Sequence, residues 1–305
     1  MLQRGGKLRA NQLNMGNELK NLWSLGGLSW RELAKRTWHE VWEDEVFGQA
    51  GRLAFYHFLA VFPCLLLLFF LLSHFSAAEA RLRSTLVESL QRLLPQQSSA
   101  LMESMISQLK QTAHTGMAAW SAGAGAAWAA VNGTWAVISG LNIAYEVKEE
   151  RPLWKVLAIA IALTVSLAIL FLLALTLVVY GSWWLPDLGA RIVQWPILAA
   201  LLLAAFALLY RFGPNLDDRQ WRWSTPGAAA ALVLWLTAAG LMRFYSEHFH
   251  SYAVIYKQLN GAATLLLWFY FTSAAVLIGG EMNSEIEKAA RERSGEPQPH
   301  AREGS

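Results

Sequence analysis

Three ionisable side chains lie inside or directly beside long apolar stretches, where proton binding is the chemistry open to them. His57 lies within the stretch 53–75, and Glu146 and Glu281 follow directly after two others, 111–145 and 258–280. A polar group in hydrocarbon is costly, so it faces the protein interior, a partner or water. We therefore take these three residues as candidates for a response to protons.

Further polar side chains mark the same stretches or their ends. Together with the first three they could line a polar path among the first, second, fifth and sixth stretches; they are Asn132, Asn142, Arg211, Asn215, Arg243, Tyr245 and Asn260. Pro63 should kink the first helix, and the hinge candidates are Pro63, Gly240, Gly261, Gly279 and Gly280. Purely structural interpretations stay open. His57, Asn132 and Asn142 could be hydrogen-bonding groups between helices, and Arg211 could complement a helix dipole.

Patterns that would indicate an enzyme or a cofactor are missing from the sequence. There is no GxxxxGK[ST], HExxH or GxSxG motif, and the close pair His248 and His250 lacks further ligands at metal-binding spacing. The single cysteine, Cys64, excludes an intramolecular disulfide. The hydrophilic segments are too short to hold an RNA-binding module. The sequence thus predicts no enzyme, no metal, no other cofactor and no nucleic-acid partner.

The composition requires these residues to be positioned by membrane helices. Hydrophobic residues make up 55% of the 305 residues and charged residues 15%, against about 25% charged in soluble proteins. Mean hydropathy is +0.30. A membrane helix needs about 20 apolar residues. Six stretches without Asp, Glu, Lys or Arg reach or nearly reach that length: 53–75, 111–145, 156–186, 192–210, 223–242 and 258–280.

The distribution of basic residues predicts the orientation of these six spans. The two termini and the connections on their side hold 18 of the 25 Lys and Arg residues, and the opposite connections hold 7. Cytoplasmic connections are enriched in Lys and Arg. We therefore expect an all-α, polytopic protein of the bacterial inner membrane, with six transmembrane helices and both termini in the cytoplasm.

Outside the spans, the sequence predicts three accessory regions. Residues 1–50 form a cytoplasmic segment in which Ser29 and Glu32 make a capping box. That box opens an amphipathic helix that either lies on the membrane surface or packs on the protein's own loops. In the transmembrane domain, 51–285, the external loop 76–115 carries two amphipathic helices that serve as a lid or as structural cover. Residues 286–305 are a charged tail expected to be disordered.

With six spans in this order, the chain resembles the YihY/BrkB family of bacterial inner-membrane proteins. The resemblance is carried by five stretches: LAFYHFLAVFPCLLLL (53–68), NGTWAVISGLNIAYEVKEERP (132–152), LYRFGPN (209–215), STPGAAAALVLWLTAAGLMRFY (224–245) and YAVIYKQLNGAATLLLWFYFTSAAVLIGGEMNSEIE (252–287). The chain departs from the family pattern at His57, at Phe58 and in the NGTW stretch.

The resemblance implies a bundle of six membrane helices and a role as a transporter or flippase of a lipid or other amphipathic molecule. The family has carried a ribonuclease label, but metal-dependent phosphodiester cleavage needs clustered carboxylates or histidines, for which the sequence shows no pattern. The alternative is a non-transporting structural or assembly protein that binds envelope partners. Expected partners are membrane lipids, together with a second copy of the chain or an envelope protein.

Overall fold

The structure is a computed structural model that describes residues 25–73, 116–184, 188–216, 226–248 and 257–295. Within these ranges it is all-helical and contains no strand, which confirms the predicted class. After a 3₁₀ turn at Leu25–Gly27, the helices are α1 (Trp30–Glu43), α2 (Val46–Ser73), α3 (Gly116–Ala144), α4 (Leu153–Trp184), α5 (Leu188–Phe212), α6 (Pro226–His248) and α7 (Lys257–Ser294). The predicted helices of 76–115 lie outside the described residues.

Four of the helices are long and apolar enough to cross a membrane. The stretches that meet both conditions are Leu153–Val178, Val193–Phe212, Pro226–Phe244 and Gly261–Arg293. The other two long helices, α2 and α3, have 28 and 29 residues, which at 1.5 Å per residue is about 42 Å. The described part therefore contains six long helices at the six predicted places, four of which meet both the length and the apolarity expected of a span.

The centre of the bundle is formed by α2, α3 and α7. The most extensive helix contacts are those between α2 and α3, followed by those of α7 with α6 and with α2. Leu53, Leu141 and Leu277, one from each central helix, are almost completely buried in the main apolar core. Helices α4 and α5 pack on each other, and they join this centre through α3 and α6.

One end of the bundle gathers the connections that the sequence predicts to be cytoplasmic. There the C-terminal end of α3 meets the residues that follow α5, through a bond from the Asn215 amide to Asn142. The first turn of α6 meets the last third of α7, through a bond from the Gly227 amide to Asn283. The long helices that meet at this end therefore alternate in direction, as hairpin-linked helices do. We call this end of the bundle the polar end.

The peripheral helices expose long apolar side chains. On α4, Ile161, Val165 and Leu172 are about half exposed, and α6 exposes Val233 and Leu241 more fully. A water-soluble bundle would bury such stripes, because exposed apolar area of this size is unfavourable in water. Contact of the same faces with lipid tails carries no such unfavourable free energy, so the exposed sides of α4 and α6 are suited to the hydrocarbon core of a membrane.

Helix α1 begins as the capping box predicts, and it packs on α7. The Ser29 side chain accepts a hydrogen bond from the Glu32 amide at 3.2 Å. Leu33, Thr37 and Val41 are buried, and the helix contacts α7. Trp38 and Trp42 remain more than half exposed on another side of the helix. Within the described residues, helix α1 thus packs on a helix of the bundle and keeps an exposed aromatic side that a membrane surface could receive.

The predicted tail is helical over its described part. We expected 286–305 to be disordered, but α7 continues to Ser294, and Ile286 and Ala289 are buried. The reason is contact with the N-terminal segment: Gly26 adopts a left-handed backbone at φ 59° and lies against the Ile286 carbonyl and Ala289. Of the charged residues in 286–294, Glu292 and Arg293 lie on an exposed helix face, whereas Lys288 is largely buried. Residues 296–305 lie outside the described part.

Candidate functional site

A single lysine near the end of α7 gathers carboxylates from three parts of the chain. The Lys288 ammonium lies 2.7 Å from Glu146, 2.8 Å from Glu285 and 3.5 Å from Glu40. These acids come from the turn after α3, from α7 itself and from α1. The ammonium donates a hydrogen bond to Glu146, and it attracts all three carboxylates, which carry three negative charges against its one positive charge when ionised. We refer to Lys288, Glu40, Glu146, Glu285 and two neighbouring acids, Asp44 and Glu281, as the carboxylate–lysine cluster.

Glu281 is the most deeply buried acid of the cluster. Its side chain is 1% exposed, and its Oε1 atom is buried without a hydrogen-bond partner. The carboxyl group is close enough to Asp44, Glu40, Glu285 and Lys288 to interact with them electrostatically, and only the lysine favours its ionised form. An ionised carboxylate that is buried without a partner is very unfavourable, which sets Glu281 apart from the exposed acids of the chain.

The pKa of Glu40 reflects the excess of acidic groups in the cluster. Burial raises the pKa of Glu40; attraction to Lys288 works in the opposite direction, while repulsion from Glu285 and Glu146 raises the pKa further. One lysine therefore does not offset the acids around it, and the cluster favours positive charge or added protons.

Glu146 occupies a backbone conformation that usually requires glycine. Its φ is 51°, and the Glu146 and Val147 amides donate to the carbonyls of Ile143 and Asn142. This is the pattern that ends a helix with a left-handed residue. A non-glycine residue in this conformation costs about 1 kcal/mol or more. The ion pair with Lys288 explains why a carboxylate stands here in place of glycine.

A second polar group, beside the cluster, joins three connections. Asn142 is 5% exposed; its side chain donates to Glu149 and accepts from the Asn215 amide, both at 2.8 Å. The Asn215 side chain donates to the Lys148 carbonyl, and Arg151 donates to both Glu149 and the Gly213 carbonyl. We call these residues the asparagine clasp, because they hold the α3–α4 connection to the end of α5.

The clasp stabilises the ionised form of Glu149. Partial burial acts to raise the pKa of Glu149, but hydrogen bonds from Arg151 and Asn142 outweigh it and hold the pKa below its ordinary value. The clasp is therefore satisfied in its hydrogen bonding. Glu146 lies in the connection that the clasp fixes, between Asn142 and Glu149 in the chain.

His57 lies apart from the polar end, at the contact of α2, α3 and α7. Its Nδ1 atom is 3.4 Å from the Ser273 hydroxyl, and its ring is 5.9 Å from that of Phe269. Gly133 of α3 lies against the same ring, where an added Cβ would be 3.6 Å away. His57 thus bonds between helices, and the described structure places it away from the acids of the cluster.

The remaining predicted residues are spread over the bundle. The Asn132 side chain donates to the Trp128 carbonyl of its own helix, Arg211 lies over the Phe212 ring at 6.0 Å, and Arg243 is exposed near the far end of α6. The side chains of Tyr245, Asn260 and Pro63 lie outside the described part. Of the hinge candidates, Pro63 lies within the continuous helix α2, and Gly261, Gly279 and Gly280 lie within the continuous helix α7. At Gly240, an added Cβ would have no described atom within 4 Å.

Sequence reasoning found Asn142, Glu146, Asn215 and Glu281 but missed their partners. Lys288 and Glu285 were hidden because the last apolar stretch ends at Gly280. Glu285 and Lys288 follow Glu281 by four and seven positions, which places all three on one helix face. This helical spacing of charged residues could have revealed them. Glu40 could not be found in this way because its role depends on α1 packing against α7. Among the described residues, no three His, Cys, Asp or Glu side chains are placed to hold a metal ion.

Comparison with known proteins agrees with the membrane architecture. The sequence profile of the family described as Virulence factor BrkB matches residues 37–304. The chain belongs to this family. The match includes the second half of α1, the six long helices and the carboxylate–lysine cluster, so the resemblance drawn from the sequence motifs is confirmed.

Relatives in the BrkB family are similar over most of this chain. A ribonuclease-like protein of Bacillus subtilis (strain 168), YfkH, is 27% identical over 253 residues, which cover 79% of this chain and 90% of the relative. A UPF0761 membrane protein of Alteromonas mediterranea is 25% identical and covers 84% and 88%. A UPF0761 membrane protein of Stenotrophomonas maltophilia (strain R551-3) is 26% identical; the match covers 82% of this chain but only 59% of that relative. No solved structure matches this chain.

Proposed function

We propose that this BrkB-family membrane protein lies in the bacterial cytoplasmic membrane, crosses it six times, and transports a lipid or another amphipathic molecule. The observation that carries the proposal is the buried carboxylate–lysine cluster, with Glu281 almost fully enclosed. Buried ionisable groups are expensive for stability. Their presence at a helix-bundle end is typical of sites that bind or move a charged group.

Polar side chains at different heights along the bundle support a path for a polar lipid headgroup. The cluster lies at the polar end, the His57–Ser273 pair lies among the central helices, and Arg243 lies toward the other end of α6. A headgroup could contact these groups in turn while its tails stay in the bilayer beside the exposed faces of α4 and α6. We propose membrane lipids as its partners and no catalytic role. RNA hydrolysis by the purified chain would contradict that assignment.

A structural or assembly protein is the second candidate, and one observation favours it. Helices α6 and α7 touch backbone to backbone, because an added Cβ at Gly279 would lie 2.6 Å from the Gly227 carbonyl oxygen. Contacts between glycines hold helices closely, as a rigid scaffold requires. A scaffold would bind envelope partners or a second copy of the chain and would move no lipid.

Reconstitution in liposomes separates these candidates. The full-length chain is inserted into vesicles that carry labelled phospholipids, and the transfer of label between leaflets is measured. We expect transfer by the wild type and at least a tenfold loss in separate His57→Ala, Glu146→Gln and Glu281→Gln variants, equivalent to about 1.4 kcal/mol in the barrier. Glu292→Gln, at an exposed acid of α7, is the matched control. Folded wild type that moves no lipid would contradict transport and favour the scaffold.

A further inference from the structure

We propose that Glu281 is a proton-binding site and that its proton holds α1 against α7. The inference deepens the proposed function, on which its meaning for transport rests, because it names the coupling ion as the proton. Proton binding itself can be measured without any transport, so the two proposals can fail separately.

The first argument is the supply of positive charge in the cluster. Lys288 lies 2.7–3.5 Å from Glu40, Glu146 and Glu285, so its single positive charge already faces three other carboxyl groups. Arg36 of α1 pairs with Glu32 and Glu292. Among the described residues, no Lys or Arg forms an ion pair with Glu281 within 4 Å.

The second argument is the burial of the Glu281 carboxyl group. The side chain is 1% exposed, and no described residue donates a hydrogen bond to Oε1. Every acid near it, Asp44 and Glu40 of α1 and Glu285 of α7, opposes its ionisation. Since Oε1 is closed off from bulk solvent and has no donor among the described residues, a bound proton is the simplest way to neutralise the group.

The third argument is the location of the site between two elements. Asp44 ends α1, and the buried face of α1, with Leu33, Thr37 and Val41, packs toward α7. Loss of the proton would place a new negative charge opposite Asp44 and Glu40. The resulting repulsion acts across the α1–α7 contact, so release of the proton should loosen α1 from α7.

The neutral variant Glu281→Gln tests the site in the full-length chain in detergent or nanodiscs. The thermal unfolding midpoint is measured from about pH 5 to about pH 10. Wild type should lose stability as pH rises and Glu281 ionises, whereas Glu281→Gln should keep its midpoint and become the more stable protein at high pH. Glu150→Gln, at an exposed acid outside the α1–α7 contact, should retain the wild-type pH dependence.

Infrared spectroscopy of the wild type tests the proton site even if the Glu281→Gln variant fails to fold. Infrared spectra of the wild type at neutral pH should show the C=O stretch of a protonated carboxylic acid, and this band should be lost with rising pH and be absent in Glu281→Gln. Absence of the band in the wild type, or an unchanged pH dependence in a folded Glu281→Gln, would overturn the proposal.

Stabilisation of the wild type at high pH by Na⁺ would overturn it too, by assigning the site to a metal cation. An intact band with no lipid transfer in liposomes would support the proton site and contradict only the transport function.

Discussion

Residues of the polar end differ in how their charge is compensated, and this difference decides what each can do. Glu149 receives hydrogen bonds from Arg151 and Asn142, so its ionised form is satisfied. Among the described residues no group donates a hydrogen bond to Oε1 of Glu281, so the negative charge of its ionised form would lack hydrogen bonds there. Two acids at the same end of one bundle are thus suited to opposite tasks: Glu149 keeps a loop in place, and Glu281 can exchange a proton.

The first residue-scale prediction concerns the pH dependence that Glu149 confers. Because the folded pKa of Glu149 lies below its ordinary value of 4.5, its contribution to stability is present above that pH and is lost as pH falls through the folded pKa. Glu149→Gln should lower the thermal midpoint at neutral pH, and the difference from wild type should shrink in acid. The exposed neighbour Glu150→Gln is the control; an equal loss there would contradict the clasp.

The second residue-scale prediction separates backbone strain from the ion pair at Glu146. Glu146→Ala removes the pair with Lys288 and keeps the left-handed backbone, whereas Glu146→Gly removes the pair and relieves about 1 kcal/mol of strain. Thermal midpoints should therefore rank wild type above the glycine variant and the glycine variant above the alanine variant. An alanine variant as stable as the glycine variant would show that the backbone at this turn is not strained.

At the scale of elements, glycines decide how closely the helices approach. An added Cβ at Gly140 would lie 2.8 Å from a Leu277 methyl group, and one at Gly280 would lie 2.9 Å from a Leu141 methyl group. Helices α3 and α7 therefore touch through reciprocal pairs of a glycine and a leucine. Tyr210 adds a hydrogen bond from its hydroxyl to the Val276 carbonyl, which ties α5 to the same part of α7.

The element-scale prediction tests the α6–α7 contact. Gly279→Ala places a Cβ against the Gly227 carbonyl oxygen at 2.6 Å and against the Tyr210 hydroxyl, and overpacking of this kind costs about 1–3 kcal/mol. Gly240→Ala meets no atom within 4 Å and should be neutral or stabilising by about 0.5–1 kcal/mol. Thermal midpoints of the two variants in detergent measure the difference. A Gly279→Ala protein as stable as Gly240→Ala would mean that the helices can separate there at no cost.

At the scale of the whole molecule, the chain divides into a polar end, a central trio of helices and an apolar outer layer. The polar end collects the connections richest in Lys and Arg, and the outer layer exposes apolar side chains of α4 and α6. A bilayer provides the surroundings that both regions require: hydrocarbon along the sides, and anionic headgroups with water at the end.

The whole-molecule prediction concerns orientation. Because 18 of the 25 basic residues lie on the side of the two termini, both termini should lie in the cytoplasm. Green fluorescent protein fused after residue 305 should fluoresce, and alkaline phosphatase fused there should be inactive. The same phosphatase inserted in the loop 76–115 should be active. Active phosphatase at the C-terminus would contradict the orientation and the six-span count that underlies it.

Local properties of the sequence were enough to determine the class of the protein and the places of its helices. Hydropathy and the absence of charge are properties of a single segment, so they identified the six long helices and the start of α1 at Ser29 without knowledge of any contact. Asn142, Glu146, Asn215 and Glu281 could be singled out for the same reason, since each is a polar residue at the end or border of an apolar stretch.

Only the tertiary structure decided which of these residues act together. Glu40, Glu146 and Lys288 are far apart in the chain, and nothing in their spacing states that one ammonium contacts both acids. The continuation of α7 past residue 286 likewise depends on Gly26 and the N-terminal segment, which bury Ile286 and Ala289. Burial and pairing are properties of contacts between distant segments, and packing of the helices is what creates them.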